Sequence, residues 1–332
     1  MNFDILKIAP SPIELLEDAL FDKFGVRVYV KRDDLIHPSV QGNKWRKLKY
    51  NLLKTKELNI PTLMTFGGAF SNHIHATAAA GQLFGINTIG IIRGEITVPL
   101  SNTLIFAENH GMKLHFVSRE EYKNKTALTH ALIDTFGDVY VLPEGGTNDL
   151  AVVGCTEIVN EINQQIFLHP DFLVVACGTG GTIAGMIKAA DEKQMVIGFA
   201  VLKGNFLHKE VSNLINMSED SAILNKKVDE SFKKNDVNPY NHLNWSINND
   251  YHFGGYAKSN PELIEFINHF KTQHDIPLDP VYTGKMFFGL FDLIKKGYFP
   301  RGSTIVAVHT GGLQGIEGFN DFKLKNSPIK VF

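Results

Sequence analysis

The sequence predicts an α/β protein of two domains, each an open, mostly parallel twisted sheet with helices on both faces. Three observations point there. Short, near-continuous apolar runs alternate with helix-like segments over most of the chain, the pattern of parallel strands buried on both faces. The 332 residues exceed what one small core fills and suit two domains. At "FLVVACGTGGTIAGMIKAA" a buried strand runs through a glycine turn into a helix, which places unpaired backbone amides at a helix N-terminus.

The elements follow in order. "VRVYVKR" reads as a strand and is followed by a helix from Lys44. "TLMTF", an alanine-rich helix at 74–84, "INTIGIIRG", a helix near 100–110, "KLHFVS" and a helix near 120–136 continue the alternation. "DVYVLPEGG", a helix near 149–166, "FLVVACGTGG", a helix from Thr182 and the strand "MVIGFAVLKG" extend it. Residues 205–240 are polar and rich in Asn, Asp and Lys, and read as a surface excursion. "HLNWSI", helices near 261–273 and 284–297, and a last strand "TIVAVHTGG" restore the rhythm. Residues 48–160 are expected to form the smaller domain, and 1–47 with 161–332 the larger.

Composition excludes several classes. A net charge of −2 supplies no basic field for nucleic acid. No apolar run approaches the roughly 18 residues that span a bilayer. The N-terminus has early acids and no signal-peptide pattern, so the cytoplasm is the expected location. Cys155 and Cys177 lie far apart and read as reduced core residues, not a disulfide framework or a metal site.

The glycine turn is the strongest local signal. Gly178, Gly180 and Gly181 let a backbone approach an anion closely, and Thr179 and Thr182 add hydroxyl donors. A plain βα turn needs none of that density. Position 183 is Ile, so G-x-G-x-x-G is absent, and the next strand ends in Lys203, not in an acid for a ribose. The G-x-x-x-x-G-K-[ST] loop is absent too. A monophosphate cofactor fits better than a dinucleotide or a triphosphate.

The basic helix "QGNKWRKLKYNLLK" carries Lys44, Lys47, Lys49 and Lys54. Lys44, Leu48 and Leu52 are four apart and share a face. Lys47 is three residues on and reaches the same region, whereas Lys49 and Lys54 fall toward solvent. A lysine facing a dry interior loses proton affinity and becomes a nucleophile. Gly42 is expected to admit a flat ligand beside it. Most lysines near apolar stripes merely snorkel, but a phosphate cup together with such a lysine suggests pyridoxal phosphate.

"VYVKRDDLIHPSVQGNKWRKLKY" resembles the cofactor-lysine segment of the D-cysteine desulfhydrase and 1-aminocyclopropane-1-carboxylate deaminase family, which has the tryptophan-synthase-β-like fold. "FGGAFSNHIHATAAAG", "LPEGGTN", "ACGTGGTIAG", "YHFGGYAK" and "DPVYTGK" resemble further family blocks in the expected order, out to "HTGG". The resemblance implies that Lys44 carries the cofactor as a Schiff base and Lys47 is a phosphate ligand, with Cys177 to Thr182 (Cys177, Gly178, Thr179, Gly180, Gly181, Thr182) as the phosphate loop. It implies that Ser71, Asn72 and His73 meet the substrate carboxylate, with Asn72 also near the cofactor's phenolic oxygen. A helix N-cap is the alternative for Ser71 or Asn72, and His73 with His75 makes a poor metal pair because i and i+2 diverge on a helix. Tyr256 and Tyr282 resemble the family's two active-site tyrosines. Family members are dimers, so a homodimer is expected.

The resemblance leaves the reaction to one position. Deaminases that open the cyclopropane ring carry a glutamate just after the second tyrosine, near the pyridine nitrogen; here Thr283 stands there, and Thr310 is another hydroxyl candidate. A carboxylate keeps that nitrogen protonated and strengthens the electron sink, whereas a hydroxyl does not. A weaker sink suffices when a good β leaving group departs, so α,β-elimination from D-cysteine is favoured over ring opening. An amino-acid racemase and a non-catalytic phosphate-ligand binder on the same fold are the competing readings.

Overall fold

The computed structural model describes residues 8–216, 244–323 and 328–329. Two sheets organise the chain. The larger has strands β1 (Ile13–Leu16), β2 (Arg27–Lys31), β7 (Phe172–Cys177), β8 (Met195–Ala200), β9 (Trp245–Asn248) and β10 (Thr304–Val308) in the order β1-β2-β10-β7-β8-β9. All of its pairs are parallel except β1 with β2, which is antiparallel at the edge. The smaller has β3 (Thr62–Gly67), β4 (Asn87–Arg93), β5 (Met112–Val117) and β6 (Tyr140–Leu142) in the order β5-β4-β3-β6, all parallel.

The side-chain period of two splits each apolar strand between two cores. In β7, Val174 and Ala176 join helices α9 (Pro261–His274) and α10 (Thr283–Lys295), whereas Leu173, Val175 and Cys177 face α6 (Asp149–Gln165) and α7 (Gly181–Ala189). On the smaller sheet Leu63 packs with α2 (Asn43–Glu57) and α3 (Asn72–Phe84), while Met64 and Phe66 face α5 (Lys125–Phe136). This is why the strands read as continuous apolar runs instead of alternating ones. The helix starts carry side-chain caps: Ser71 accepts from Ile74 N, Asn148 from Ala151 N and Asn260 from Leu263 N.

Three expectations need correcting. Residues 206–216 form helix α8, whose Leu207, Val211 and Ile215 pack in the core with α7. Its apolar residues recur every four positions in an otherwise polar stretch, and composition hid that stripe; residues 217–243 lie outside the described residues. The span 48–160 included α6, yet Val152, Cys155, Ile158, Val159 and Ile162 pack under the larger sheet. Gly154 permits this helix to press on α2, where a Cβ would lie 1.9 Å from the Arg46 carbonyl oxygen. Gly42 does not make room for a ligand. Its φ is +62°, and a Cβ there would sit 1.9 Å from the Thr310 carbonyl oxygen, so it lets the first turn of α2 close on the end of β10. Gly42→Ala is expected to cost about 2–3 kcal/mol in urea unfolding, from left-handed backbone strain and that clash.

The expected elements did not include the short β1, helix α1 (Ala19–Phe24) or the terminal helix α11 (Gly315–Lys323). None of the described helices is long and apolar enough to cross a membrane.

Candidate active site

The C-terminal ends of the parallel strands of both sheets converge on a cavity of about 410 Å³, where open α/β sheets bind ligands. Its walls come from the start of α2, the loops after β3, β6, β7 and β10, and the two tyrosine segments.

Lys44 stands on the first turn of α2, and its Nζ donates to Asn43 Oδ1 at 3.1 Å. Burial of the amine, then the charge of Lys47, pushes its pKa down to about 7. Leu48 and Leu52 below it are buried, as the shared face requires. Lys54 binds Glu57 on the exposed side, whereas Lys49 is partly buried and binds Glu157 of α6, and neither lines the cavity.

Lys47 reaches the glycine loop. Its Nζ donates to the Gly145 carbonyl at 3.0 Å, Thr147 Oγ1 at 2.9 Å and Thr179 Oγ1 at 3.4 Å. The Thr147 and Thr179 hydroxyls lie 2.7 Å apart. A Cβ on Gly181 would stand 3.1 Å from Lys47 Nζ, and one on Gly178 would stand 3.2 Å from the Tyr282 ring. Asn43 Nδ2 donates to Thr182 Oγ1 at 2.8 Å, tying the lysine turn to the start of α7. The result is a cup of backbone amides, two hydroxyls and an ammonium, with the glycines leaving its floor bare. Cys177 forms part of the wall; burial pushes its thiol up to about 12, so it is an inert thiol.

Ser71, Asn72 and His73 also line the cavity. Ser71 caps α3 as well, so the cap and the lining coexist. His73 is buried, and its Nε2 meets Thr65 Oγ1 at 2.8 Å, while Thr65 donates its single proton to the Leu142 carbonyl. The ring therefore donates from Nε2, leaving Nδ1 as an acceptor with no partner among the described residues. Burial, with the charges of Lys44 and Lys47, holds the imidazole neutral far below its ordinary pKa. That nitrogen is buried and lies beside Gly146.

Tyr256 and Tyr282 both reach the cavity with ring centroids 6.1 Å apart in an edge-to-face pair. Burial raises both phenols, and their mutual contact raises Tyr282 further. The two threonines part company. Thr310 lines the cavity, but Thr283 does not. Thr283 Oγ1 donates to Asp279 Oδ1 at 2.8 Å and accepts from Asp279 N at 3.0 Å. Asp279 is buried and also accepts the amides of Val281, Tyr282 and Thr283. It thus caps α10 and sets Tyr282.

Sequence reasoning passed over Asn43, Thr147, Arg93, Glu144 and Asp279. Thr147 carried a signal: "EGGT" after β6 repeats the Gly-Gly-Thr of the β7 loop. Arg93 and Glu144 gave none, being single charges at strand ends; both line the cavity, where Arg93 lies over the Tyr122 ring and Glu144 binds Lys125.

The fold and this cleft are those of a tryptophan-synthase-β-like, fold type II enzyme. A solved ACC deaminase homologue superposes with a TM-score of 0.78 at 31% identity, covering 94% of this chain and 92% of that one. The family model described as pyridoxal-phosphate dependent enzyme matches residues 6–311, and the chain belongs to that family. A Pyrococcus horikoshii protein provisionally named 1-aminocyclopropane-1-carboxylate deaminase is 33% identical over 94% of this chain and 92% of its own. An Arabidopsis thaliana protein named as a bifunctional, mitochondrial D-cysteine desulfhydrase/1-aminocyclopropane-1-carboxylate deaminase is 32% identical over 88% of this chain and 74% of its own. The cavity fits a pyridoxal phosphate on two observations: the Lys44 amine lines it, and so does a cup of glycines, hydroxyls and the Lys47 ammonium whose floor a Cβ would fill.

Proposed function

We propose that the protein eliminates the β substituent of a small amino acid, D-cysteine above all, giving pyruvate, ammonia and hydrogen sulfide. One observation supports this choice over ring opening: the residue after Tyr282 is a threonine turned away from the cavity, and Thr310 is the hydroxyl that lines it. Among the described residues lining the cavity, Glu144 is the only carboxylate, and it is paired with Lys125. A pyridine nitrogen held by a hydroxyl supports a weaker sink, which is enough when a thiolate leaves.

In this reading Lys44 would hold the cofactor, Lys47, Thr179 and the amides of Gly178 to Thr182 would take its phosphate, and Thr310 would be the hydroxyl available to its ring nitrogen. When bound, pyridoxal phosphate supplies the sink for the electrons released at the substrate Cα. The Lys44 amine would be the base that takes the Cα proton, because burial leaves a large share of it unprotonated at neutral pH. Ser71 and Asn72 orient the substrate carboxylate at the start of α3. The paired phenols of Tyr256 and Tyr282, both held protonated, donate to the departing sulfur. The small domain is the stretch carrying β3 to β6, and the cleft between the sheets excludes water when a substrate fills it. A homodimer, and a cytoplasmic location, belong to this reading.

The test is keto-acid and sulfide release from D-cysteine by the purified holoenzyme, beside D-serine and 1-aminocyclopropane-1-carboxylate. Pyruvate and sulfide from D-cysteine are expected; turnover of the cyclopropane substrate with none of D-cysteine would overturn the reading. The names of the Pyrococcus and Arabidopsis relatives keep the deaminase as the second reading.

The threonines give a paired prediction. Thr310→Val is expected to lower kcat about tenfold with the unfolding midpoint held. Thr283→Val is expected to cost about 1–3 kcal/mol of stability, because buried Asp279 loses its hydroxyl donor. Equal kinetic losses in both variants would contradict the assignment.

A further inference from the structure

We propose that Lys285 is a positioning residue that holds Tyr256 in the cavity, so that the first turn of α10 sets both active-site tyrosines. This rests on the reading of Tyr256 as a group that meets the substrate.

Tyr256 is presented by a loop that is unfavourable by itself. Phe253, Gly254, Gly255 and Ala257 all have positive φ, at 53°, 92°, 118° and 52°. Two of them carry side chains, and a left-handed residue of that kind persists only where its surroundings over-determine it. Those surroundings include one buried ammonium. Lys285 is fully buried, and its Nζ donates to the His252 carbonyl at 2.9 Å and the Gly255 carbonyl at 2.7 Å. Those carbonyls bracket the turn: Gly255 N donates to His252 O, and Lys258 N to Gly255 O. The ammonium thus pins the turn at its start and at the residue directly before Tyr256. Burying an ammonium is costly unless it is well bonded, so a surface-type explanation of this lysine fails.

The same helix turn fixes the other tyrosine. Tyr282 precedes α10, and its amide is held by Asp279. Three residues on, Lys285 reaches back to the Tyr256 loop, and Phe288, one turn further, packs edge-to-face on Phe253 at 5.0 Å. The two tyrosine motifs are therefore one mechanical unit, and the 6.1 Å ring pairing is its output.

The test uses the holoenzyme with Lys285→Met, which keeps length and loses the donors. Amide hydrogen exchange over residues 250–258 is expected to rise at least tenfold, with cofactor absorbance unchanged. With D-cysteine, kcat is expected to fall about tenfold with little change in KM. On a Tyr256→Phe background the same substitution is expected to change kcat less than twofold, because the group it positions is already gone. Multiplying losses, or unchanged exchange, would overturn the proposal. If Lys285→Met does not fold, Lys285→Arg replaces it: the displaced fork should lower kcat by a smaller factor that also vanishes on Tyr256→Phe, and a factor that persists there overturns it. If Tyr256→Phe alone leaves kcat unchanged, the catalytic reading of Tyr256 fails, and the exchange result alone decides the clamp.

Discussion

Lys44→Ala is expected to lose the absorbance band near the visible edge, to lose borohydride-trapped covalent cofactor, and to lower turnover about 10³-fold or more. The reason is positional. Lys47 is one turn away and equally basic in sequence, but its ammonium is engaged by Gly145, Thr147 and Thr179. It cannot swing to replace Lys44 without abandoning the phosphate cup. A phosphate-ligand binder with no chemistry predicts no such band in the parent protein and no change in the variant. The pH dependence follows from the direction of the shift. The neutral amine is the nucleophile, so capture of added pyridoxal phosphate by the apoprotein should accelerate as pH rises through about 7 and then level off. An unperturbed lysine would still be accelerating toward pH 10. The folded pKa lies below the unfolded one, so the unfolded chain binds the extra proton between the two values. Stability of the apoprotein therefore rises with pH over that window on account of this group. Lys44→Met should flatten that slope and stabilise the apoprotein at neutral pH. A slope unchanged in Lys44→Met, or capture still rising steeply above pH 9, would contradict a dry amine.

What the sequence made legible was local and periodic. The four-residue spacing of Lys44, Leu48 and Leu52 told the cavity side of α2 from the outer side, and the glycine density at 178–181 located the cup. Both signals live within one element. The errors all required knowing what lay across the fold. Gly42 looks like room for a ligand until the Thr310 carbonyl is found against it. Thr283 and Thr310 are equal candidates in sequence, and only the commitment of Thr283 to Asp279 separates them. Helix α6 went to the wrong side of the boundary because its apolar stripe says that it packs, not on which sheet. The Lys285 clamp joins two motifs thirty residues apart through backbone carbonyls, which leave no trace in side-chain identity.

Arg46→Ala is expected to destabilise the protein by about 3–5 kcal/mol, the cost of breaking a buried ionic network from one side. Arg46 is 1% exposed and donates to Asp33 Oδ1 at 2.9 Å and Glu161 Oε2 at 2.7 Å, with Glu157 also in reach. Burial alone would lower its guanidinium, but Asp33 and Glu161 raise it far above its ordinary value. Lys31, also fully buried, shares Glu161 and donates to the Ser11 carbonyl. The network joins β2, α2 and α6, the three elements that bring the two sheets together. Its loss also reaches the site, because the Asp33 carbonyl accepts the Gly42 amide at 3.0 Å, two residues before Lys44. The sign of the pH effect distinguishes this from a simple packing loss. Glu161 is buried in part, which would raise it, yet Arg46 and Lys31 hold it below its ordinary value. In the parent its contribution is present above the unfolded carboxylate range and is lost as pH falls below it. In Arg46→Ala the balance tips toward burial, the folded state binds the proton more tightly, and stability should fall as pH rises from 5 to 7. Urea midpoints at the two pH values measure this directly. A variant equally destabilised at both would mean that Arg46 acts through its packed alkyl stem. Arg46→Met with Asp33→Asn, which removes one charge of each sign and leaves Lys31 paired with Glu161, should recover a large part of the loss, because no buried carboxylate is then orphaned in the junction that carries Lys44.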